Sequence, residues 1–495
     1  MKKISFVLIG IGLLCAAFFA WADSLGLGGD EGIGAMQLLG IQVGVAVMLV
    51  GIGLATVKWG EDANSRLRFR FSSVQNFPTL YWLLVTFLVT YILFFLLPVF
   101  FSKLQIHYLT KYIPDAYITH IGFDIEAIVS RIENWLRTGQ SPYSDGFIAY
   151  PPLTIAVFAT FSIIGYPAYF KLIVSITLLA YLISGLVLQL LSIPKRNQIL
   201  LPLFFITGLF SYGLQFEQER GQFNLITFTI CLIAIYIFHF HCKYRFFAYL
   251  LFSLSIQLKI YPVFFIFMFV DDWAEWKGIL KRFLSLGLFN FSLLFILGRN
   301  IFFDFLHVIT AYQFEYQSTR VENLSVEGFK QYLLSNSVQT ILPLSAQSIK
   351  LIGVFFLILL AFCFIFVLGR AIKKQETGLN PYLLLISTIA ALIIPSVSND
   401  YKLSILVAPM TLVICGLPEI TKPEKKAYSI LLVILASLAY WTTLYPATVK
   451  PEYLGRNFPA LIVILVSTTI LNFLAPYSYE RNRQEINNIP EPGHE

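Results

Sequence analysis

His120-Ile-Gly-Phe-Asp124-Ile-Glu126, continuing through Gly139-Gln-Ser-Pro-Tyr143 to Tyr150-Pro-Pro-Leu153, is a long polar stretch between two apolar runs of membrane length. Its first part has a helical period. Ile118, Ile121, Ile125, Ile128, Ile132 and Trp135 recur at the spacing of a one-sided helix over Ile118 to Leu136. At about 100° per residue, Glu126 and Glu133 fall opposite that stripe and face water. Asp124 borders the stripe, in line with His120 and Arg131. The pattern therefore predicts a helix lying on a membrane surface with one carboxylate at its edge. On pattern alone Asp124 is also compatible with an ordinary solvated acid.

Composition supplies the membrane. Of 495 residues, 57% are hydrophobic and only 13% charged, when an ordinary globular chain carries about 25% charged residues. Apolar runs of about 17–25 residues, the length that crosses a hydrocarbon core, recur along the chain. Candidate spans are Met36–Val57, Pro78–Phe101, Phe170–Leu191, Ile199–Phe216, Asn224–Phe240, Phe246–Ile260, Tyr261–Val270, Phe283–Leu297, Ile349–Leu368, Pro381–Ile394, Leu403–Leu417, Ile430–Leu444 and Pro459–Ala475. The expected fold is an all-α polytopic bundle of about 12–14 spans. The pair flanking Lys259 is short, which predicts half-helices or bent spans there.

The net charge of +7 is not a nucleic-acid signal, because Lys and Arg collect in short loops between spans. Residues 58–70, 195–196, 243–245, 277–282, 370–374, 422–426 and 481–483 carry them. By the positive-inside rule these loops face the cytoplasm. Alternation then places residues 102–169, 217–224, the Lys259 tip, 299–347, 396–402 and 447–457 outside, with every polar motif among them. Leu153 to Ile164 is apolar but short and fits this scheme as a re-entrant segment.

Residues 1–22 read either as a signal peptide ending in Ala20-Trp21-Ala22 or as a first span. Residues 23–77 add a span and a basic loop, residues 78–476 form the main membrane domain, and residues 477–495 form a cytoplasmic tail. Cys15, Cys231, Cys242, Cys363 and Cys415 lie in or beside apolar runs and match neither a metal site nor a disulfide framework. His239 and His241 look structural. His107 and His307 have no partners at ligand spacing, so no protein-built metal site is expected.

The Asp-bearing helix after a span, with Gly139-Gln-Ser-Pro-Tyr143 and Tyr150-Pro-Pro-Leu153 behind it, resembles the GT-C glycosyltransferases. The nearest likeness is to glycosyltransferase family 87, polyprenol-phosphate-mannose-dependent mannosyltransferases, with the GPI mannosyltransferases behind it. Gly221-Gln222-Phe-Asn224, Lys259-Ile-Tyr-Pro262, Asn323-Leu-Ser325-Val-Glu-Gly328 and Pro395 to Tyr401 follow in chain order. The resemblance spans roughly Pro78 to Ala475. It departs from the family at Ser398-Asn399-Asp400-Tyr401, where the family tends to carry Ser-Trp-Asp-His; the Asp is retained.

The resemblance implies an inverting transfer of mannose or another hexose from a polyprenyl-phosphate donor to a lipid or glycan acceptor, with Asp124 as base. The expected setting is the outer face of a bacterial plasma membrane, among membrane lipids. No cofactor is expected, and a divalent cation is left open. Such chemistry needs a base for the acceptor hydroxyl and positive charge for the leaving phosphate. Lys259, Arg220 and Lys402 are the candidate phosphate partners, though Lys259 could simply snorkel. Glu217 and Glu219 could neutralise Arg220 in an exposed loop, and Asp400 could pair with Lys402. Gln222 and Asn224 suit sugar hydroxyls, or Asn224 caps the span that follows. Tyr143, Tyr150, Asn323, Ser325, Asp400 and Tyr401 complete the expected binding set. Tyr312, Phe314 and Tyr316 stack on a sugar or anchor a loop, and the sequon at Asn323 reads as coincidence. Two rival functions are a transporter or flippase of lipid-linked sugars and a non-catalytic subunit of the same fold. Transporters usually show repeated halves and midplane polar groups; here no repeat is visible, and charges gather at the outer rim.

Overall fold

The structure, a computed structural model, describes residues 2–20, 22, scattered positions between 40 and 51, 122–166, 168–190, 208–209, 211–310, 323–373, 379–417, 423–444 and 457–475. The expectations for His107, Ile118, His120, Ile121, Tyr312, Phe314, Tyr316, most of residues 23–77, the span Pro78–Phe101 and the 477–495 tail lie outside the described residues. Among the described residues the structure is helical, with a single isolated bridge between Asn323 and Asn399 and no strand.

In chain order the α-helices are α1 Lys2–Ala20, α2 Phe123–Thr138, α3 Pro152–Ala159, α4 Ala168–Leu190, α5 Tyr212–Arg220, α6 Asn224–Phe240, α7 Arg245–Leu258 and α8 Trp276–Leu293. They continue as α9 Arg299–His307, α10 Val326–Leu334, α11 Asn336–Ile341, α12 Ala346–Lys373, α13 Pro381–Ile393, α14 Val407–Cys415, α15 Pro423–Leu444 and α16 Asn457–Leu474. Two longer 3-10 segments, Tyr261–Met268 and Asp400–Leu406, follow α7 and precede α14.

Among the described residues, four helices are long and apolar enough to cross a membrane, or five if the bent pair α5–α6 is one span. The expected span Pro78–Phe101 lies outside the described residues, as does much of Met36–Val57 and Ile199–Phe216, and several of the others are short or broken. Leu403–Leu417 is divided between a 3-10 segment and α14, and Tyr261–Val270 is mostly 3-10 helix. The helix α3 has eight residues, about 12 Å at 1.5 Å per residue, too short for a hydrocarbon core of about 30 Å.

The central helix is α13. Pro381 at its first position needs no N–H partner, and Asn380 Oδ1 accepts the next two, from Tyr382 and Leu383, at 2.9 and 3.1 Å. All its residues are buried, as expected of a helix that is apolar all round. It packs on α12, α14, α16 and both 3-10 segments. A second layer sets α6 between α4 and α7. The helix α7 runs from Arg245 to Leu258, about 21 Å, so it holds the basic loop and Lys259 at opposite ends. At the Arg245 end, Arg245 and Arg282 both pair with Asp271, at 2.7 and 2.9 Å. Lys259 and the other polar residues lie at the far end.

Candidate active site

Two glycines bring the polar motifs together. The helix α2 begins at Phe123, directly after Gly122, which takes φ 84°. A Cβ there would stand 2.7 Å from the Phe170 ring. Gly122 N–H also donates to Glu219 O at 2.7 Å. Gly221, at φ 67°, ends α5 and lets the chain turn 111° into α6. A Cβ on Gly221 would sit 2.5 Å from Ile125 Cγ2. Both positions need a left-handed backbone and a bare α-carbon, which glycine alone supplies without strain. They set the first turn of α2 against the break between α5 and α6.

That contact buries the carboxylate of Asp124, whose side chain is only 12% exposed. Arg220 Nη1 donates to Asp124 Oδ1 at 3.3 Å, and Gln222 Nε2 donates to Oδ2 at 2.7 Å. The side chain is therefore in the protein interior and not at a water-washed helix edge. An ionised carboxylate offers about four acceptor positions, and these two bonds leave room for a substrate hydroxyl. Glu126 is half-exposed and Glu133 exposed, and neither lines the cavity described below.

The expectation of an exposed loop over residues 217–224 is corrected. Every residue of α5 is buried, including Glu217, Glu219 and Arg220. Glu217 Oε1 accepts from Leu225 N–H at 2.8 Å at the start of α6, and its other oxygen accepts from Ser404. A carboxylate at a helix N-terminus meets free N–H groups and the positive end of the dipole. Arg220 is thus buried beside Asp124 and pairs with it, not set in an exposed loop.

Lys259 is 4% exposed. Its ammonium donates to Gln222 Oε1 and to Asn224 Oδ1, both at 2.8 Å. Three rings stand around it: Phe223 at 4.3 Å, Tyr150 at 5.0 Å and Tyr401 at 5.7 Å from the nitrogen. Aromatic faces attract a cation, more so when water is excluded. A lysine that merely snorkels would keep its ammonium in water; this one is buried and directed. Asn224 does not cap α6 with its side chain but holds Lys259, while its backbone carbonyl accepts from Tyr261 Oη at 2.7 Å. Phe223 and Tyr261 were absent from the expected set. Their positions beside Gln222 and Lys259 in sequence are the signal that could have found them.

The cavity at this end is about 350 Å³. Asp124, Gln222, Lys259, Tyr150, Asn399, Tyr401 and Lys402 form its polar wall, and Ile260, Val263, Phe264, Ile309, Ile394 and Pro395 its apolar side. Ile260, Val263 and Ile394 are about two-fifths exposed. Lys402 donates to Val397 O at 3.1 Å, and burial pushes its ammonium down to about 8. Asp400 accepts from Tyr212 Oη at 3.3 Å and from Asn457 at 3.1 Å, and is buried behind the cavity.

The remaining expected residues serve the frame. Tyr143 Oη donates to Tyr150 O at 2.6 Å, fixing the turn that carries Tyr150. Asn323 donates to Ser396 O at 2.8 Å and accepts from Ser398 N–H at 2.9 Å. Ser325 donates to Ser396 O at 3.1 Å and caps α10 by accepting from Gly328 N–H at 3.0 Å. None of these three lines the cavity; they hold the loops that do. Among the described residues no three His, Cys, Asp or Glu side chains gather as a metal site.

Comparison with known families identifies the chain. The sequence model of glycosyltransferase family 87 matches residues 147–395, half of the chain, from the Tyr150 turn to the loop before Asn399. Comparison with curated proteins and with solved structures gave no match. With apolar helices long enough to cross a membrane and a buried carboxylate beside a cavity, the chain belongs to glycosyltransferase family 87 and is a membrane glycosyltransferase acting on a sugar donor and an acceptor.

Proposed function

We propose that this enzyme moves mannose or a similar hexose from a polyprenyl-phosphate donor to a lipid- or glycan-linked acceptor at the outer membrane face. The supporting observation is the division of the cavity. Part of the lining carries a carboxylate and two ammonium side chains, and part is apolar, with Ile260, Val263 and Ile394 about two-fifths exposed. A volume of about 350 Å³ is at the small end for ligand sites, commonly about 300–1,000 Å³. It suits a sugar phosphate headgroup, with a long lipid chain leaving past Ile260, Val263 and Ile394 into the bilayer.

In this reading Asp124 takes the proton from the acceptor hydroxyl as its oxygen attacks the anomeric carbon. The bond from that carbon to the phosphate oxygen breaks on the opposite face, and the polyprenyl phosphate departs with the electron pair. The configuration inverts. A placed base contributes about 10²–10⁴ in rate. The phosphate is a weak base, so its departure needs charge stabilisation more than a proton. Lys259, with two of three N–H groups used, and Lys402 supply that charge. Lys259→Ala should weaken use of the donor by about 2–4 kcal/mol, the worth of a charge-assisted contact in a dry site. Lys259→Arg should restore only part, since a planar fork does not replace a point charge.

Purified enzyme in vesicles, offered a labelled polyprenyl-phosphate hexose or the matching nucleotide sugar, tests the donor class. Transfer is expected from the lipid donor alone. Transfer from the nucleotide sugar without a lipid intermediate would overturn the proposal.

A further inference from the structure

The side chain of Gln222 has an unusual set of partners for a residue expected to meet sugar hydroxyls. Its Oε1 accepts from Lys259 Nζ at 2.8 Å and from Tyr150 Oη at 3.1 Å, while its Nε2 donates to Asp124 Oδ2 at 2.7 Å. The amide's orientation follows from its partners: an ammonium only donates, and an ionised carboxylate only accepts. Both acceptor positions and one of two N–H groups are therefore occupied by protein. Its backbone is also fixed, N–H donating to Glu217 O at 2.9 Å, next to the left-handed Gly221.

This places one neutral amide between a carboxylate and an ammonium that are 9% and 4% exposed. Opposite charges so deeply buried attract strongly. Without a spacer the favoured arrangement is a direct ion pair, which spends both charges on each other. An ammonium bound to Asp124 has less to offer a phosphate, and a carboxylate facing a second cation besides Arg220 is a poorer base. The amide satisfies each group with a dipole of the right sign and adds no net charge.

We infer that Gln222 is a spacer, keeping Asp124 and Lys259 from closing into a direct ion pair so that one stays basic and the other stays available to phosphate. This rests on the roles proposed above for Asp124 and Lys259. Gln222 is then a positioning residue that acts through its neighbours.

The test uses Gln222→Met, which keeps the length and removes the amide. A cryo-EM structure of the full-length variant should show Asp124 and Lys259 within ion-pair distance, about 4 Å. In the transfer assay kcat should fall about 10-fold or more, donor KM should rise, and the acid limb of the kcat profile should move to lower pH. Adding Lys259→Met should free Asp124 again. The acid limb then returns and kcat partly recovers, while donor KM stays high. Gln222→Glu should shift the acid limb the other way, because two adjacent carboxylates share a proton; it carries the test if Gln222→Met does not accumulate in membranes. A structure in which Asp124 and Lys259 stay apart, or losses that simply add with the acid limb unmoved, would overturn the inference. An ion pair that forms while kinetics stay normal would uphold the spacer and instead sink the roles given to Asp124 and Lys259.

Discussion

At Lys402, burial and function act on the same proton in opposite directions. The ammonium lines the cavity and burial pushes it down to about 8, so its cationic form is favoured below that pH and lost above it. If Lys402 holds the departing phosphate, kcat/KM for the donor should decline as pH rises through about 8. Lys402→Arg, whose guanidinium stays charged above pH 12, should move that alkaline limb upward. An unmoved limb would remove Lys402 from the phosphate site. At this scale the sequence was partly legible. The helical phase separates the buried Asp124 from the half-exposed Glu126, because a stripe of isoleucines has a period. The bond from Arg220 to Asp124 spans 96 residues and leaves no local trace, so the sequence pairs Arg220 with its neighbours Glu217 and Glu219 and not with Asp124.

The elements show why residues 217–224 were read as an exposed loop. Helix α5 contains Gln215, Glu217, Gln218, Glu219 and Arg220, and its low hydropathy resembles a solvated turn. Its burial depends on the 111° break at Gly221, which folds it under α2 and beside the 400–406 segment. Hydropathy does not encode that direction. The close approach to Ile125 makes a specific prediction. Gly221→Ala should cost about 1–3 kcal/mol from the left-handed backbone, lowering thermal stability, and should further reduce transfer by pushing α2 away. Adding Ile125→Ala should recover part of the transfer without restoring the backbone cost. Full activity in the Gly221→Ala single variant, measured at matched protein level, would show that the contact does not position Asp124.

At the scale of the whole molecule, α7 and its neighbours hold two sets of charged groups at opposite ends. Arg245, Arg282 and Asp271 meet at one end, and Lys259 with Asp124 at the other. Reporter fusions after Arg245 and Lys374 should report cytoplasm, and a fusion near Asp145 the outside. A cytoplasmic Asp145 would put the cavity on the wrong face for an outward-acting enzyme. The all-α class was legible because membrane-length apolar runs permit little else. Which apolar runs are single helices was not, since short helices and 3-10 segments such as Tyr261–Met268 carry the same apolar composition as longer ones. Within the N-terminal region, Gly12 and Gly44 allow α1 to meet the backbone around Met48 closely.

The central claim, that Asp124 is the base, is tested most directly by transfer of labelled sugar from a polyprenyl phosphate in reconstituted membranes. Wild type, Asp124→Asn and Glu126→Gln are compared at matched protein levels. Asp124→Asn keeps the shape of the site and removes the base, so turnover should fall about 10²-fold or more while donor binding persists. Glu126→Gln, on a carboxylate outside the cavity, should change turnover little. Near-normal turnover by Asp124→Asn, or a collapse produced by Glu126→Gln instead, would contradict the account.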